Sequence, residues 1–201
     1  MKVLGITGGV GAGKSTVLDY IAKMYHARVI QADQVGHLLM SPGQVCYYRI
    51  AETFGSSILN GDQNINRSKL ADIVFRDPDK LQKLNQIVHP AVKEYIVNEI
   101  KKERTAGRVP FVVIEAALLI EDHYETICDE FWYVYTSDDV RRIRLKKARG
   151  YSDEKVKQIM KNQMRDNVFR QHCQFVVDNS SNIVENTYEQ IDRGLIEHEF
   201  L

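Results

Sequence analysis

One short glycine-rich segment near the start of the chain has the residue types and the spacing needed to bind phosphate. It runs from Gly8 to Ser15 and satisfies the pattern of a glycine, four residues, and then Gly-Lys-Ser. Glycine tolerates positive φ and lets backbone N–H groups come close to phosphate oxygens. The pattern predicts that Lys14 reaches the β- and γ-phosphates of a nucleotide and that the Ser15 hydroxyl ligates Mg²⁺. The residues predicted to contact the nucleotide are Gly8, Gly9, Val10, Gly11, Ala12, Gly13, Lys14, Ser15 and Thr16.

The segments on either side of this loop have the periodicity that such a loop requires. Residues 2–6 are a short apolar run typical of a buried strand, and Val17, Leu18 and Ile21 recur at helical spacing after the loop. The order strand, loop, helix would place the phosphate at the positive end of a helix dipole.

Two acidic residues follow predicted strands and are candidates for the chemistry around the phosphate. Asp33 follows the strand at Val29 and Ile30 and could accept a proton from an acceptor hydroxyl; it could equally cap the helix that begins at Gln34. Glu115 follows the apolar run of residues 111–114 and could hold the Mg²⁺ shell through water, or could be a carboxylate in solvent.

A basic run between residues 141 and 149 stands out in a chain with no excess positive charge. Arg144 and Arg149 are the candidates for phosphate contact, because guanidinium groups pair well with phosphoryl oxygens. Arg141, Lys146 and Lys147 are interpreted as a solvated helix face.

Strands alternate with helices along the chain, which predicts a three-layer α/β fold of the phosphate-loop NTPase type around a central parallel sheet. We predict a single domain with its core in residues 1–33, 107–137 and 172–201. A helical acceptor-binding subdomain would occupy residues 34–106 and a helical lid residues 138–171. Asp77-Pro78 and His89-Pro90 are both predicted to begin helices, which makes His89 a structural residue rather than a catalyst. The run Trp132, Tyr133 and Tyr135 is predicted to be core.

The composition restricts the class of protein. Lys and Arg number 27, as do Asp and Glu, so the net charge is zero and neither a nucleic-acid partner nor an anionic membrane surface is expected. The three cysteines, Cys46, Cys128 and Cys173, lack metal-site spacing and are predicted to be core thiols of a reducing compartment. We see no signal peptide and no apolar run near the ~20 residues of a membrane span. We therefore expect a cytoplasmic protein that acts on a small molecule, as a monomer or a weak homo-oligomer.

The motifs together resemble the dephospho-coenzyme A kinase family over nearly the whole chain. The phosphate loop is common to many families, whereas the spaced combination is specific. The residues that carry the resemblance are Thr7-Gly8-Gly9 through Thr16, Ala32-Asp33, Phe54-Gly55, Arg67 with Leu70, Val74-Phe75, Leu84-Asn85, His89-Pro90, Leu118-Leu119 with Glu121, Gln163 and Asp178-Asn179.

The resemblance implies transfer of the γ-phosphoryl group of ATP, with Mg²⁺, to the ribose 3′-hydroxyl of dephospho-coenzyme A. It implies that Asp33 is the catalytic carboxylate, that Asn179 lies in the loop near the adenine, and that Arg67, His89 and Leu118 join Asp33 in binding the acceptor. The helices of residues 34–104 would bind the pantetheine nucleotide, and residues from about 138 to 171 would form the lid.

The chain departs from the family pattern at several positions. Gln31 stands where the family has an acid, and Ala117 replaces a proline before the Leu-Leu pair. Ala148 falls where the family has a second lid arginine, so that Arg149 comes one position late. Cys173-Gln174 replaces the usual Ala-Asp, and Ser181 stands in place of a glycine after Asn179.

Two other functions are compatible with the phosphate loop. Another small-molecule kinase with a nucleoside or nucleotide acceptor would use the same scaffold; Arg67 and His89-Pro90 favour dephospho-coenzyme A over it. A regulatory GTPase switch would explain Asp33-Gln34-Val35-Gly36, but the chain has no Asn-Lys-x-Asp motif for guanine selection.

Overall fold

The computed structural model describes all 201 residues and shows five strands in one sheet with helices around it. The strands are β1 (Val3–Thr7), β2 (Arg28–Gln31), β3 (Val112–Glu115), β4 (Glu130–Tyr135) and β5 (Phe175–Asp178). Their order across the sheet is β2-β3-β1-β4-β5. The β1–β3, β1–β4 and β4–β5 pairs are parallel, which confirms the predicted α/β class.

The helices divide between two compact units of the chain. The helices are α1 (Lys14–Tyr25), α2 (Ala32–Leu39), α3 (Val45–Phe54), α4 (Arg67–Val74), α5 (Pro78–Ala106), α6 (Asp138–Arg149), α7 (Asp153–Lys161), α8 (Asp166–His172) and α9 (Glu185–Glu197). The first unit comprises Met1–Val29 with Ala106–Leu201, and the second unit comprises Ile30–Thr105. Short 3₁₀ turns lie at Ser56–Ile58 and Tyr124–Thr126.

The core of the first unit lies between the sheet and the helices α1 and α9. Every residue of β1 is buried, as expected for the middle strand of a parallel sheet that is covered on both faces. Leu4, Ile6, Ile21 and Ile191 pack in this core, and Trp132 of β4 is fully buried beside them. The prediction that the aromatic run of β4 belongs to the core is confirmed for Trp132 and Tyr133, whereas Tyr135 is half-buried.

In the second unit, one of the two predicted proline helix starts is correct and the other is wrong. Pro78 begins α5, and the Asp77 carboxylate accepts the Asp79 N–H at 3.1 Å as a cap. Pro90 instead lies inside α5. A proline removes one backbone hydrogen bond but does not end a helix whose packing supports it. Buried Ile87 and Val92 flank the proline and carry the helix through it.

The last features of the fold are the state of the cysteines and the length of the helices. Cys46, Cys128 and Cys173 are free and buried, which confirms the prediction of core thiols. Burial raises the pKa of the Cys173 thiol from 9.0 to about 12. None of the helices is both long and apolar enough to span a bilayer.

Candidate active site

The phosphate loop connects β1 to α1 and has backbone that only glycine adopts easily. Gly8 has a φ of 151°, and a Cβ there would lie 2.5 Å from the Val134 carbonyl oxygen. Gly13 precedes α1 with a φ of 85°, and a Cβ there would overlap the Asn179 side-chain amide. The glycines at these positions are therefore required by the close approach of β4 and of the segment after β5.

Side chains from outside the loop hold its second half in place. Asn179 donates from Nδ2 to the Ala12 carbonyl at 2.8 Å, and the Thr136 hydroxyl lies 2.9 Å from the same oxygen. Asn179 is buried, and its Oδ1 accepts the Thr187 hydroxyl at 3.0 Å. These bonds tie the loop to the carboxyl ends of β4 and β5, where ligands bind in open parallel sheets.

Lys14 lies at the centre of the site. Its ammonium group donates to the Gly8 carbonyl at 2.9 Å and lies 3.4 Å from the Glu115 carboxylate. The two side chains retain only 15% and 11% of their exposure. Glu115 is therefore a buried partner of the loop lysine at the end of β3, and the alternative of a carboxylate in solvent is wrong.

The basic helix α6 contributes Arg144 to the same region. Arg144 lines a cavity of about 290 Å³ beside the loop, together with Gly13, Thr16, Asn179, Ser181, Asn182 and Val184. Its Nη1 lies 3.4 Å from the Thr136 hydroxyl. Arg149 lies elsewhere: it is exposed at the end of α6, and its guanidinium carbon is 6.0 Å from the Tyr151 ring centroid.

Arg141 contacts the phosphate loop directly, which the sequence did not predict. Its Nε donates to the Val10 carbonyl at 3.2 Å, and its Nη2 donates to the Gln163 side chain, which follows α7. The side chain is 12% exposed, so the interpretation of Arg141 as a solvated residue is wrong. Lys146, assigned to the same face, is 48% exposed and pairs with Asp153 at 2.8 Å, as a solvated residue does.

Tyr133 of β4 has a perturbed pKa. Tyr133 stacks on Phe169 of α8, with ring centroids 4.6 Å apart. Burial, and next the neighbouring Asp166 carboxylate, raise the pKa of the Tyr133 hydroxyl, while Arg141 and Arg170 oppose the shift. The phenol therefore stays neutral near neutral pH.

The candidate base and two acceptor-binding candidates belong to the second unit. Asp33 is exposed in the first turn of α2, whose N-cap is Gln31, so Asp33 does not cap this helix as the alternative proposed. Arg67 is exposed at the first position of α4, and His89 is half-buried in α5. Leu118 belongs to the first unit, after β3, and is 41% exposed.

A larger cavity in the first unit lies near the amino end of β4, away from the loop. Its volume is about 440 Å³. Its polar groups already bond to the fold: Asp129 accepts the Val3 N–H at 2.6 Å, and Gln174 accepts the Phe131 N–H at 2.8 Å. Parallel sheets bind ligands at the other edge, where the phosphate loop lies.

Comparisons with known proteins point to one family over nearly the whole chain. The model of the family described as dephospho-CoA kinase matches residues 2–185. A dephospho-CoA kinase from Streptococcus mutans is 34% identical over 194 residues, 96% of each chain. One from Aquifex aeolicus is 37% identical over 194 residues, which are 96% of this chain and 95% of that one. A Thermus thermophilus protein has the same fold, with a TM-score of 0.82, 24% identity, and coverage of 98% of this chain and 97% of that one.

Proposed function

Because this chain belongs to the dephospho-CoA kinase family, whose members catalyse the last step of coenzyme A biosynthesis, we propose that it transfers the γ-phosphoryl group of ATP to the ribose 3′-hydroxyl of dephospho-coenzyme A. The observation that carries the proposal is the Lys14 ammonium group, held between the Gly8 carbonyl and Glu115 at the start of α1. Because the chain belongs to this family, the regulatory switch and the nucleoside kinase are set aside as explanations of the phosphate loop.

The backbone of the loop binds the triphosphate. The first N–H groups of an α-helix lack partners in the preceding turn, although in α1 the Thr16 N–H donates to the Gly13 carbonyl at 3.1 Å. The helix dipole adds positive potential at this end. The contacts to ATP come from Gly8, Gly9, Val10, Gly11, Ala12, Gly13, Lys14, Ser15 and Thr16. On binding, the Lys14 ammonium exchanges its internal contacts for oxygens of the β- and γ-phosphates.

The donors beside the loop fit Mg²⁺. The ion prefers hard oxygen ligands and is bound by one or two protein groups together with substrate phosphates and water. Ser15 offers a hydroxyl at the start of α1, and Glu115 offers a carboxylate at the end of β3 that already lies 3.4 Å from Lys14. When bound, the ion would neutralise charge on the phosphates; Ser15 would contact it directly and Glu115 through water.

Arginine and the cavity beside the loop complete the nucleotide site. Arg144 projects into that cavity and would neutralise charge on the transferred group, whose three oxygens carry the negative charge in the transition state. Arg149 would join it only if the lid carries it away from Tyr151. The adenine would lie near Asn179 in this cavity. Asn179 would help to shape the pocket through its hydrogen bonds to the Ala12 carbonyl and the Thr187 hydroxyl.

Asp33 would act as the general base. A bond forms between the ribose 3′ oxygen and the γ-phosphorus while the bond from that phosphorus to the β–γ bridging oxygen breaks, and the hydroxyl proton passes to the Asp33 carboxylate. Arg67, His89 and Leu118 would bind dephospho-coenzyme A, with residues 34–106 as the acceptor-binding subdomain and residues 138–171 as the lid. Acceptor binding is thereby assigned to helices α2 to α5 together with Leu118, which follows β3.

We also propose a cytoplasmic enzyme that acts as a monomer and binds neither nucleic acid nor membrane. Buried free thiols are typical of a reducing compartment, and the net charge of zero gives no general attraction to polyanions. Light scattering after size-exclusion chromatography measures the mass directly, and a stable dimer would contradict the monomer.

The acceptor is tested by measuring ADP release from Mg·ATP with dephospho-coenzyme A, with a panel of nucleosides and without acceptor. We expect turnover with dephospho-coenzyme A alone. Turnover with only a nucleoside would contradict the assigned acceptor, and acceptor-independent hydrolysis as fast as the transfer reaction would contradict a kinase.

A further inference from the structure

We propose that Arg141 is a positioning residue for phosphate binding: it holds the Val10 carbonyl so that the next amide, Gly11 N–H, faces the phosphate. The inference rests on the proposed function only in that the loop binds a phosphate chain. It concerns a residue of α6 that the loop motif does not include.

The geometry of the peptide bond connects Arg141 to the Gly11 amide. The chain has no cis peptide bonds, so the C=O of Val10 and the N–H of Gly11 point in opposite directions across one plane. Arg141 Nε donates to the Val10 carbonyl at 3.2 Å from the α6 side. A donor that fixes this carbonyl therefore fixes the direction of the Gly11 N–H, on the opposite side.

Arg141 itself is held by partners that leave it little freedom. Its Nη2 donates to the Gln163 side-chain oxygen, and its Nη1 lies 3.4 Å from the Asp138 carboxylate. Each of the three guanidinium nitrogens thus has an acceptor on the protein. These three bonds use three of the five N–H donors and hold the guanidinium against the loop, which favours a role in positioning it.

The loop accommodates the guanidinium closely. A Cβ at Gly9 would lie 2.5 Å from Arg141 Nη2 and 2.8 Å from the Gln163 oxygen. Gly9 thus leaves space for both side chains to lie against the backbone. Only 12% of the Arg141 side chain is exposed, so water competes little with its hydrogen bond to the loop.

The second half of the loop uses the same arrangement with other residues. Asn179 Nδ2 donates to the Ala12 carbonyl at 2.8 Å, and the same reasoning directs the Gly13 N–H. The Gly9 carbonyl is bonded within the loop, to the Ala12 N–H at 3.1 Å. Arg141 therefore orients the first half of the loop as Asn179 orients the second, and the two can be perturbed separately.

The test compares Arg141→Met with Arg142→Met, a control for an exposed residue of the same helix. The probe is inorganic tripolyphosphate, and its Kd is measured by calorimetry at low and at high salt. We expect Arg141→Met to raise the Kd about tenfold, as for the loss of one hydrogen bond from a charged donor. We expect Arg142→Met to leave it within twofold of the wild-type value. We expect most of the Arg141→Met effect to persist at high salt, because a hydrogen bond to the Val10 carbonyl is short-range and is screened little.

A second readout separates positioning from direct contact. In ¹H–¹⁵N spectra, tripolyphosphate should shift the Gly11 and Gly13 amide signals of the wild type. We expect Arg141→Met to reduce the shift of Gly11 and to retain that of Gly13. An unchanged Kd, a Kd ratio that collapses at high salt, or equal loss of both shifts would overturn the role of Arg141 while leaving the kinase assignment intact. A wild type that does not bind tripolyphosphate would instead contradict the phosphate site on which both proposals depend.

Discussion

Replacing Lys14 with methionine separates the contribution of its charge to turnover from its contribution to stability. Methionine keeps an unbranched stem but cannot donate to phosphate or to the Gly8 carbonyl, which Lys14 contacts at 2.9 Å. Hydrogen bonds from a charged donor contribute about 1.5–3 kcal/mol each. With one contact to each of two phosphates, we expect the loss of about 3–6 kcal/mol in the transition state, or about 10²- to 10⁴-fold in kcat.

The same substitution leaves the Glu115 carboxylate without the cation that lies 3.4 Å away. Removing one partner of a fully buried pair costs about 3–5 kcal/mol. Because these side chains keep 15% and 11% of their exposure, we expect a smaller loss of unfolding free energy, about 1–3 kcal/mol. The double variant with Glu115→Gln also removes the carboxylate charge that Lys14 faces in the wild type and should recover part of this loss.

The assay measures ADP release at saturating dephospho-coenzyme A, alongside thermal unfolding of each variant. The account expects Lys14→Met and the double variant to be equally inactive while differing in stability. Turnover of Lys14→Met within tenfold of the wild type would refute the reasoning, as would a double variant that regains turnover together with stability.

Three further outcomes are expected. Asp33→Asn should lower kcat by about 10²-fold with an unchanged melting temperature, because it removes a base from an exposed position on α2; a change in melting temperature alone would contradict that role. Gly13→Ala should weaken ATP binding, because the new Cβ overlaps the Asn179 amide at a φ of 85°; an unchanged Kd for ATP in calorimetry would speak against this. The Cys173 thiol has a folded pKa of about 12 against 9.0 for an ordinary thiol, so the unfolded state releases its proton first and the unfolding free energy should fall as pH rises from about 9 toward 12. In denaturant titrations Cys173→Ala should show a shallower fall, and equal slopes would contradict the shift.

The phosphate loop could be predicted from sequence because its requirements are local. A buried strand, glycines at fixed positions and a helix starting at Lys14 are all visible within residues 3–25, and the structure has each of them. The same holds for the helix start predicted at Asp77-Pro78, where the Asp77 carboxylate accepts the N–H two residues ahead. Short-range geometry leaves a pattern in the sequence.

Contacts between distant segments could not be predicted in the same way. Arg141 and Lys146 are equivalent as members of a basic run, yet one bonds to the Val10 carbonyl and the other to Asp153. They differ because Arg141 lies on the face of α6 that packs toward the loop, whereas Lys146 does not. Which face packs there depends on the arrangement of the strands. The close approach of Arg141 to Gly9 and of Leu145 to Gly11 is likewise a property of the folded chain.

At Pro90 a local sequence preference predicts a helix start that the fold does not have. Proline is a common first residue of helices, and that preference predicts a start at His89-Pro90. In the structure α5 continues through Pro90, because tertiary packing of Ile87, Val92 and Ile96 outweighs one missing backbone hydrogen bond. The helix that carries His89 is therefore longer than its sequence signals indicate.

The central claim is that this site phosphorylates the ribose 3′-hydroxyl of dephospho-coenzyme A. The most direct measurement is ³¹P NMR and mass spectrometry of the product formed from ATP and dephospho-coenzyme A. The account predicts coenzyme A, with one added phosphoryl group on the 3′ oxygen and one ADP released for each. A phosphoryl group at another position, or ADP released without a phosphorylated acceptor, would contradict it.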